Sequence, residues 1–173
     1  MNNNTFVHKY SKSLIDKNDV VVDMTLGNGN DALFFSGLAK KVYGFDIAEQ
    51  AINNSKEKLK DKDNVQIILD SHLNFDRYVK EKVRLFVFNL GYLPHADKVV
   101  MTEADVTLKA FIKAYEYLDK NDYIIITFYL GHKGGKDEFY LLDEYIKKNS
   151  IPVLEIYKQD RIDSPVTYII KKD

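Results

Sequence analysis

The sequence predicts a doubly wound α/β sheet that closes with an antiparallel edge strand. Three observations lead there. The run Val20-Val21-Val22-Asp23-Met24-Thr25-Leu26-Gly27-Asn28-Gly29-Asn30-Asp31 joins a short β-branched strand, an acidic strand end, a glycine-containing turn and the helix start Ala32-Leu33-Phe34-Phe35. Strand and helix patterns then alternate along the chain. The last two strand-like runs, Val153 to Tyr157 and Val166 to Ile170, have no helix between them.

Each element has its own justification. Val7, Tyr10, Leu14 and Ile15 recur at helical spacing and predict an amphipathic helix before the first strand. Val42-Tyr43-Gly44-Phe45-Asp46 is a second strand ending in a carboxylate, and Ala48 to Leu59 is a helix with Ala51, Ile52 and Leu59 on one face. Val65 to Leu69 is a third strand that runs into Asp70-Ser71-His72, followed by a short helical segment over Phe75 to Lys80. Val83 to Leu90 is apolar on both faces, as a central parallel strand requires. A helix over Glu103 to Leu118, a strand over Tyr123 to Tyr129 and a helix over Glu138 to Lys148 complete the alternation, the last with Phe139, Leu142 and Ile146 inward. The expected result is a seven-stranded, mostly parallel sheet in one domain covering residues 1–173. Class I methyltransferases use this Rossmann-like arrangement, whereas a nicotinamide-binding domain more often ends in another parallel strand.

Composition narrows the function classes. With 45% hydrophobic and 29% charged residues the chain is an ordinary globular protein, and a formal net charge of -1 excludes a strongly basic nucleic-acid binder. Lysines cluster at Lys9, Lys12 and Lys17 and again at Lys133, Lys136, Lys147 and Lys148, where they either solvate helix faces or form a local patch. The absence of cysteine excludes disulfides, thiolate metal sites and a cysteine nucleophile. His8, His72, His95 and His132 lack metal-ligand spacing, so no metal is expected. No secretion-signal pattern opens the chain and no apolar run nears the roughly 20 residues of a bilayer span, so a cytoplasmic location is expected.

The candidate site gathers at the carboxyl ends of the strands, where such sheets bind ligands. Gly27-Asn28-Gly29-Asn30-Asp31-Ala32 fits the loose G-x-G-x-x-G/A pattern. Asp46 is placed to accept both hydroxyls of a ribose. Polar and acidic residues around the loop, Asp23, Asn28 and Asn30, suit an ammonium group and would repel a pyrophosphate. They favour S-adenosyl-L-methionine over NAD. A tight turn with helix-capping Asn and Asp would give the same local pattern. After the fourth strand, Asn89-Leu90-Gly91-Tyr92-Leu93-Pro94 approaches the Asn/Asp-Pro-Pro-Tyr signature of amine methyltransferases. The Asn89 oxygen can accept the N–H of an attacking amine, and Tyr92 can stack on a planar base. Ser71 and His72 are expected to bind at the adenine end. Gly131-His132-Lys133-Gly134-Gly135 forms a polar loop over the same rim, from which His132 could accept a proton.

In order along the chain, Asp23-x-Thr-x-Gly-Asn-Gly-x-Asp31, Phe45-Asp-Ile47, Ser71-His72, Phe88-Asn-Leu-Gly-Tyr-Leu-Pro94, Thr102 and Gly131-His-x-Gly-Gly135 resemble a family long labelled putative rRNA methylase, the MnmM/YtqB-like group. The resemblance covers nearly the whole chain. It implies S-adenosyl-L-methionine as cofactor and N-methylation of the 5-aminomethyl group on the wobble (2-thio)uridine of tRNA, presented in the anticodon stem-loop. Carried over, Gly27 to Asp31, Asp46, Ile47, Ser71 and His72 would hold the cofactor, and Asn89 and Tyr92 the amine and base. The chain departs from the family at Ala48, where Gln is usual, at His95-Ala96, where two glycines are usual, and over Gln159 to Pro165.

An alkyl amine is largely protonated at neutral pH, with a lysine-like pKa of about 10.4, so the site must bind its neutral form or remove a proton. Asp31 and His132 are the candidate acceptors. The fold alone also allows methylation of rRNA, a protein or a small amine, a small NAD-dependent oxidoreductase, or a non-catalytic RNA-binding subunit. An exposed apolar face on the first helix or the edge hairpin would allow a homodimer.

Overall fold

Hydrophobic alternation along the strands sets the architecture. In β1 (Val20–Asp23), Val21 faces one side and Val20 and Val22 the other. In β4 (Leu85–Leu90), Leu85 and Val87 oppose Phe86, Phe88 and Leu90. Because both faces are apolar, both must be covered by helices. The computed structural model of the chain describes residues 1–91 and 104–173.

The remaining strands are β2 (Lys41–Asp46), β3 (Val65–Leu69), β5 (Tyr123–Phe128), β6 (Val153–Lys158) and β7 (Val166–Lys171). They form one sheet of order β3-β2-β1-β4-β5-β7-β6. The first five strands are parallel, and β7 runs antiparallel between β5 and β6. The antiparallel edge is therefore a pair, with β6 outermost. Helices α1 (Asn3–Ser11), α2 (Asn30–Ser36) and α3 (Glu49–Lys58) send Phe6, Val7, Ala32, Phe35 and Ile52 into one core. On the opposite face lie α4 (Ala104–Tyr117), α5 (Gly135–Lys148) and a 3-10 turn over His72–Arg77, which bury Phe111, Leu142, Ile146 and Phe75.

The sequence expectations hold for every strand within a residue or two, with three shifts in the helical parts. Leu14 and Ile15 fall beyond α1, where the Ser11 and Ser13 hydroxyls donate to the Val7 and Tyr10 carbonyls and compete with helix continuation. The turn expected over Phe75 to Lys80 begins at His72, because the Ser71 hydroxyl oxygen accepts the Leu73 N–H. The last helix begins at Gly135 instead of Glu138. A Cβ on Gly135 would lie 2.2 Å from the Tyr129 carbonyl oxygen, so only glycine lets the helix start this close to β5.

Helix α1 is fastened to the antiparallel end of the sheet. Asn3 Nδ2 donates to the Pro165 carbonyl at 3.1 Å and to Thr167 Oγ1 at 3.0 Å, and Phe6 stacks on Tyr157 at 4.2 Å. Exposed apolar side chains lie on the edge hairpin, at Leu154 and Ile156 of β6, while Phe6 and Val7 of α1 are buried.

Candidate active site

The strand order reverses direction between β1 and β4, which opens a crevice at their carboxyl ends. Asp23 ends β1 and pairs in register with Val87, which places Asn89 two residues further along β4 on the rim of that crevice. The Asn89 N–H donates to Thr25 Oγ1 at 2.7 Å and ties the two strand ends together.

The glycine turn is fixed from below and from the side. Leu26 N–H bonds the Phe45 carbonyl at 2.9 Å, and Gly27 N–H donates to Asp46 Oδ2 at 2.9 Å. The other oxygen of Asp46 accepts the Ala48 N–H at 2.9 Å, so the carboxylate is held rigidly and each oxygen keeps a second lone pair. Gly29 caps α2 at φ 74°, and a Cβ there would lie 3.1 Å from both Leu59 and Ser55. Asn28 and Asn30 are exposed and turn toward α3, where their side-chain oxygens accept from Asn54 and Lys58. Thus the turn is legible as expected, but these two amides brace it against α3 and are not gathered with the acidic residues.

Asp23 is fully buried; Oδ1 accepts the Thr25 N–H at 3.1 Å and Oδ2 has no partner among the described residues. Burial first, then the negative charges of Asp31 and Asp46, hold its carboxyl well above the usual carboxylate range. A buried acid with an open oxygen is a place for a cation. Asp31, also buried, divides its carboxylate. Oδ1 accepts from His8 Nε2 at 2.7 Å, and Oδ2 accepts from Asn89 Nδ2 at 3.0 Å. A carboxylate only accepts, so the amide nitrogen of Asn89 must face Asp31. Asn89 Oδ1 is left buried and, among the described residues, without a partner.

The other expected residues line the rim in different ways. Ile47 is 48% exposed directly after Asp46, an apolar surface beside the candidate ribose site. Ser71 caps the 3-10 turn, and His72 is buried with its ring edge toward Phe88 and Nε2 without a partner among the described residues. Burial lowers the His72 pKa to about 4, so the ring is neutral at physiological pH. His132 sits in the loop after β5 with Nε2 3.2 Å from the Leu90 carbonyl and Nδ1 3.1 Å from that of Lys133. A neutral imidazole carries one N–H and donates to one of these carbonyls; donated from Nε2, it ties the loop to the end of β4. Gly91 lies against Tyr129, whose hydroxyl is pushed up by burial and by the Asp31 charge, with the neighbouring Asn89 side chain opposing the rise. Tyr92, Pro94, His95, Ala96 and Thr102 lie outside the described residues.

Two contributors escaped the sequence reading. His8 reaches Asp31 from α1, its ring stacked on Phe34 at 3.8 Å, and Tyr129 donates to Asn4 of the same helix at 3.1 Å. The signal available was the polar pair Asn4 and His8, four residues apart beside the apolar stripe of α1.

Comparison with known proteins bears on the family and the fold. The model of the family described as Putative rRNA methylase matches residues 42–171, from β2 to the end of β7. The chain belongs to that family. A similar curated protein is the tRNA (mnm(5)s(2)U34)-methyltransferase, chloroplastic, of Arabidopsis thaliana, 33% identical over 154 residues. The aligned part covers 80% of this chain and 56% of that relative, so the chain spans little more than half its length. Two solved structures match throughout. A putative methyltransferase from Streptococcus mutans in complex with SAH has a TM-score of 0.90 and 36% identity, covering 100% of this chain and 99% of that one. A putative rRNA-methylase from Clostridium thermocellum has a TM-score of 0.88 and 34% identity, covering 100% and 98%. The fold is therefore that of the class I methyltransferases, as the strand pattern predicted.

Proposed function

We propose that the protein is an S-adenosyl-L-methionine-dependent methyltransferase that N-methylates the 5-aminomethyl group of the wobble (2-thio)uridine of tRNA, giving the 5-methylaminomethyl nucleoside. The observation that carries this is the Asn89 oxygen, buried, without a hydrogen-bond partner among the described residues and fixed in direction by Asp31. It is a preset acceptor for an N–H at the mouth of a cofactor crevice.

The residues present fit the cofactor. The open Asp23 oxygen suits the α-ammonium group, the Gly27–Gly29 turn gives close approach, Asp46 suits the ribose hydroxyls, and Ile47, Ser71 and His72 border the adenine position. S-adenosyl-L-methionine supplies an already activated methyl group, so the protein's task is mainly positioning. Three acids around the turn, Asp23, Asp31 and Asp46, would repel the pyrophosphate of NAD. Asn89 accepts an N–H of the target and aims the nitrogen lone pair. Asp31, hydrogen-bonded to Asn89, is the candidate acceptor for the proton the amine must lose; Tyr92, read from the sequence as the residue that stacks on the base, lies outside the described residues. The S. mutans complex with SAH supports the cofactor, and the Arabidopsis relative supports the nucleoside.

A panel assay tests the substrate. Purified protein is given S-adenosyl-L-methionine with tRNA carrying 5-aminomethyl-2-thiouridine, with tRNA lacking the aminomethyl group, or with rRNA. Methylation of the first alone is expected. Methylation of rRNA instead would keep the enzyme class and overturn the substrate.

A further inference from the structure

We propose that His8 is a positioning residue for methyl transfer, holding Asp31 so that the Asn89 oxygen points at the target amine; this rests on the amine-methyltransferase reading of the site. The chain of contacts is short. His8 Nε2 donates to Asp31 Oδ1 at 2.7 Å, and Asp31 Oδ2 accepts Asn89 Nδ2 at 3.0 Å. Both carboxylate oxygens are thus assigned, one to each neighbour, and the carboxylate plane cannot turn without breaking a bond. Remove the His8 donor, and Oδ1 becomes a buried acceptor with no partner. The carboxylate then gains by rotating, and the amide that follows it loses its fixed orientation.

The ring of His8 is itself held. It lies parallel to Phe34 at 3.8 Å with an interplanar angle of 3°, and Phe35 meets it edge-on at 6.2 Å. Stacking sets the plane of the imidazole, and α1 sets its height. The helix is anchored without His8: the Asn2 side chain caps Thr5 N–H at 2.8 Å, Asn3 bonds β7 and its approach, and Phe6 stacks on Tyr157. Loss of the imidazole therefore leaves α1 in place and removes the donor together with the stack on Phe34. α1 brings to the site a residue that the strand-end motifs do not contain, and it lies before the stretch matched by the family model.

Three variants separate donor from packing. His8→Phe keeps the stack on Phe34 without a donor, His8→Ala removes both, and in His8→Gln the side-chain amide can donate from near the Nε2 position. The account expects kcat to fall about 10–100-fold in the Phe and Ala variants, the scale of an approximately 1 Å misplacement. His8→Gln should recover most of that loss. The calorimetric Kd for S-adenosyl-L-methionine should stay near wild type in all three. A readout independent of turnover is the Asn89 side-chain amide resonance pair in the free protein, assigned by its loss in Asn89→Ala. It should shift in His8→Phe and return toward the wild-type position in His8→Gln. Full kcat in His8→Phe, an unmoved Asn89 resonance, or equal losses in the Phe and Gln variants would each overturn the proposal. If wild type methylates no amine while the resonance responds as described, the coupling stands and the functional reading falls.

Discussion

Asn89 Nδ2 donates to Asp31 Oδ2 at 3.0 Å, and that single bond decides which end of the Asn89 amide is left for a substrate. The oxygen remains, buried and without a partner among the described residues. Asn89→Ala should lower kcat about 100-fold while leaving the cofactor Kd within about threefold, because the lost acceptor touches only the amine. Steady-state kinetics beside calorimetry checks this. Equal losses in both would place Asn89 in cofactor binding instead.

Asp23 carries the opposite expectation for stability and affinity. Its carboxyl is held above the usual range, so its contribution to stability is present at low pH and is lost as pH rises through the raised folded value. Asp23→Asn removes that loss, and the free protein should be more stable than wild type at neutral pH. The same change deletes the charge that meets the ammonium group, weakening cofactor binding about 10–100-fold. Thermal melts with and without S-adenosyl-L-methionine reveal both effects: a higher Tm alone, and a smaller ligand-induced rise.

Gly29 is required by its backbone conformation. At φ 74° an alanine pays about 1–2 kcal/mol for the left-handed region, and its Cβ would press Leu59 and Ser55 at 3.1 Å. Gly29→Ala should therefore lower unfolding free energy by about 2 kcal/mol, measured by denaturant titration, and loosen the turn that receives the cofactor.

Glu138 supplies a pH signature. Buried at the start of α5 and accepting the Thr107 hydroxyl at 2.6 Å, it has its pKa raised from 4.5 to about 7, chiefly by burial. Its stabilising effect is complete below pH 4.5 and is lost as pH rises through about 7. Relative to Glu138→Gln, the wild-type protein should lose on the order of 3 kcal/mol across that window. Unfolding curves for the two proteins at pH 5 and pH 8, roughly bracketing the titration, check the sign. Parallel curves would contradict it.

Much of this site was readable because its residues cluster at strand ends. Asp23, Gly27, Gly29, Asp46 and Asn89 each follow a β-branched or aromatic run, and the sheet order brings those ends together. The sequence could not show that Asn28 and Asn30 bond α3, because an amide near a glycine turn serves either a ligand or a brace. Nor could it show His8, which is 23 residues from Asp31 on a helix whose docking is decided by β7. His132 was expected as a proton acceptor by its loop position; its two contacts with carbonyl oxygens became visible only in three dimensions.

The most direct test uses methyl-labelled S-adenosyl-L-methionine and tRNA bearing 5-aminomethyl-2-thiouridine, with wild type and Asn89→Ala run side by side and digested for nucleoside mass spectrometry. The account predicts labelled 5-methylaminomethyl-2-thiouridine from wild type and almost none from the variant. Label on the base ring or on another nucleoside, or equal product from both proteins, would contradict it.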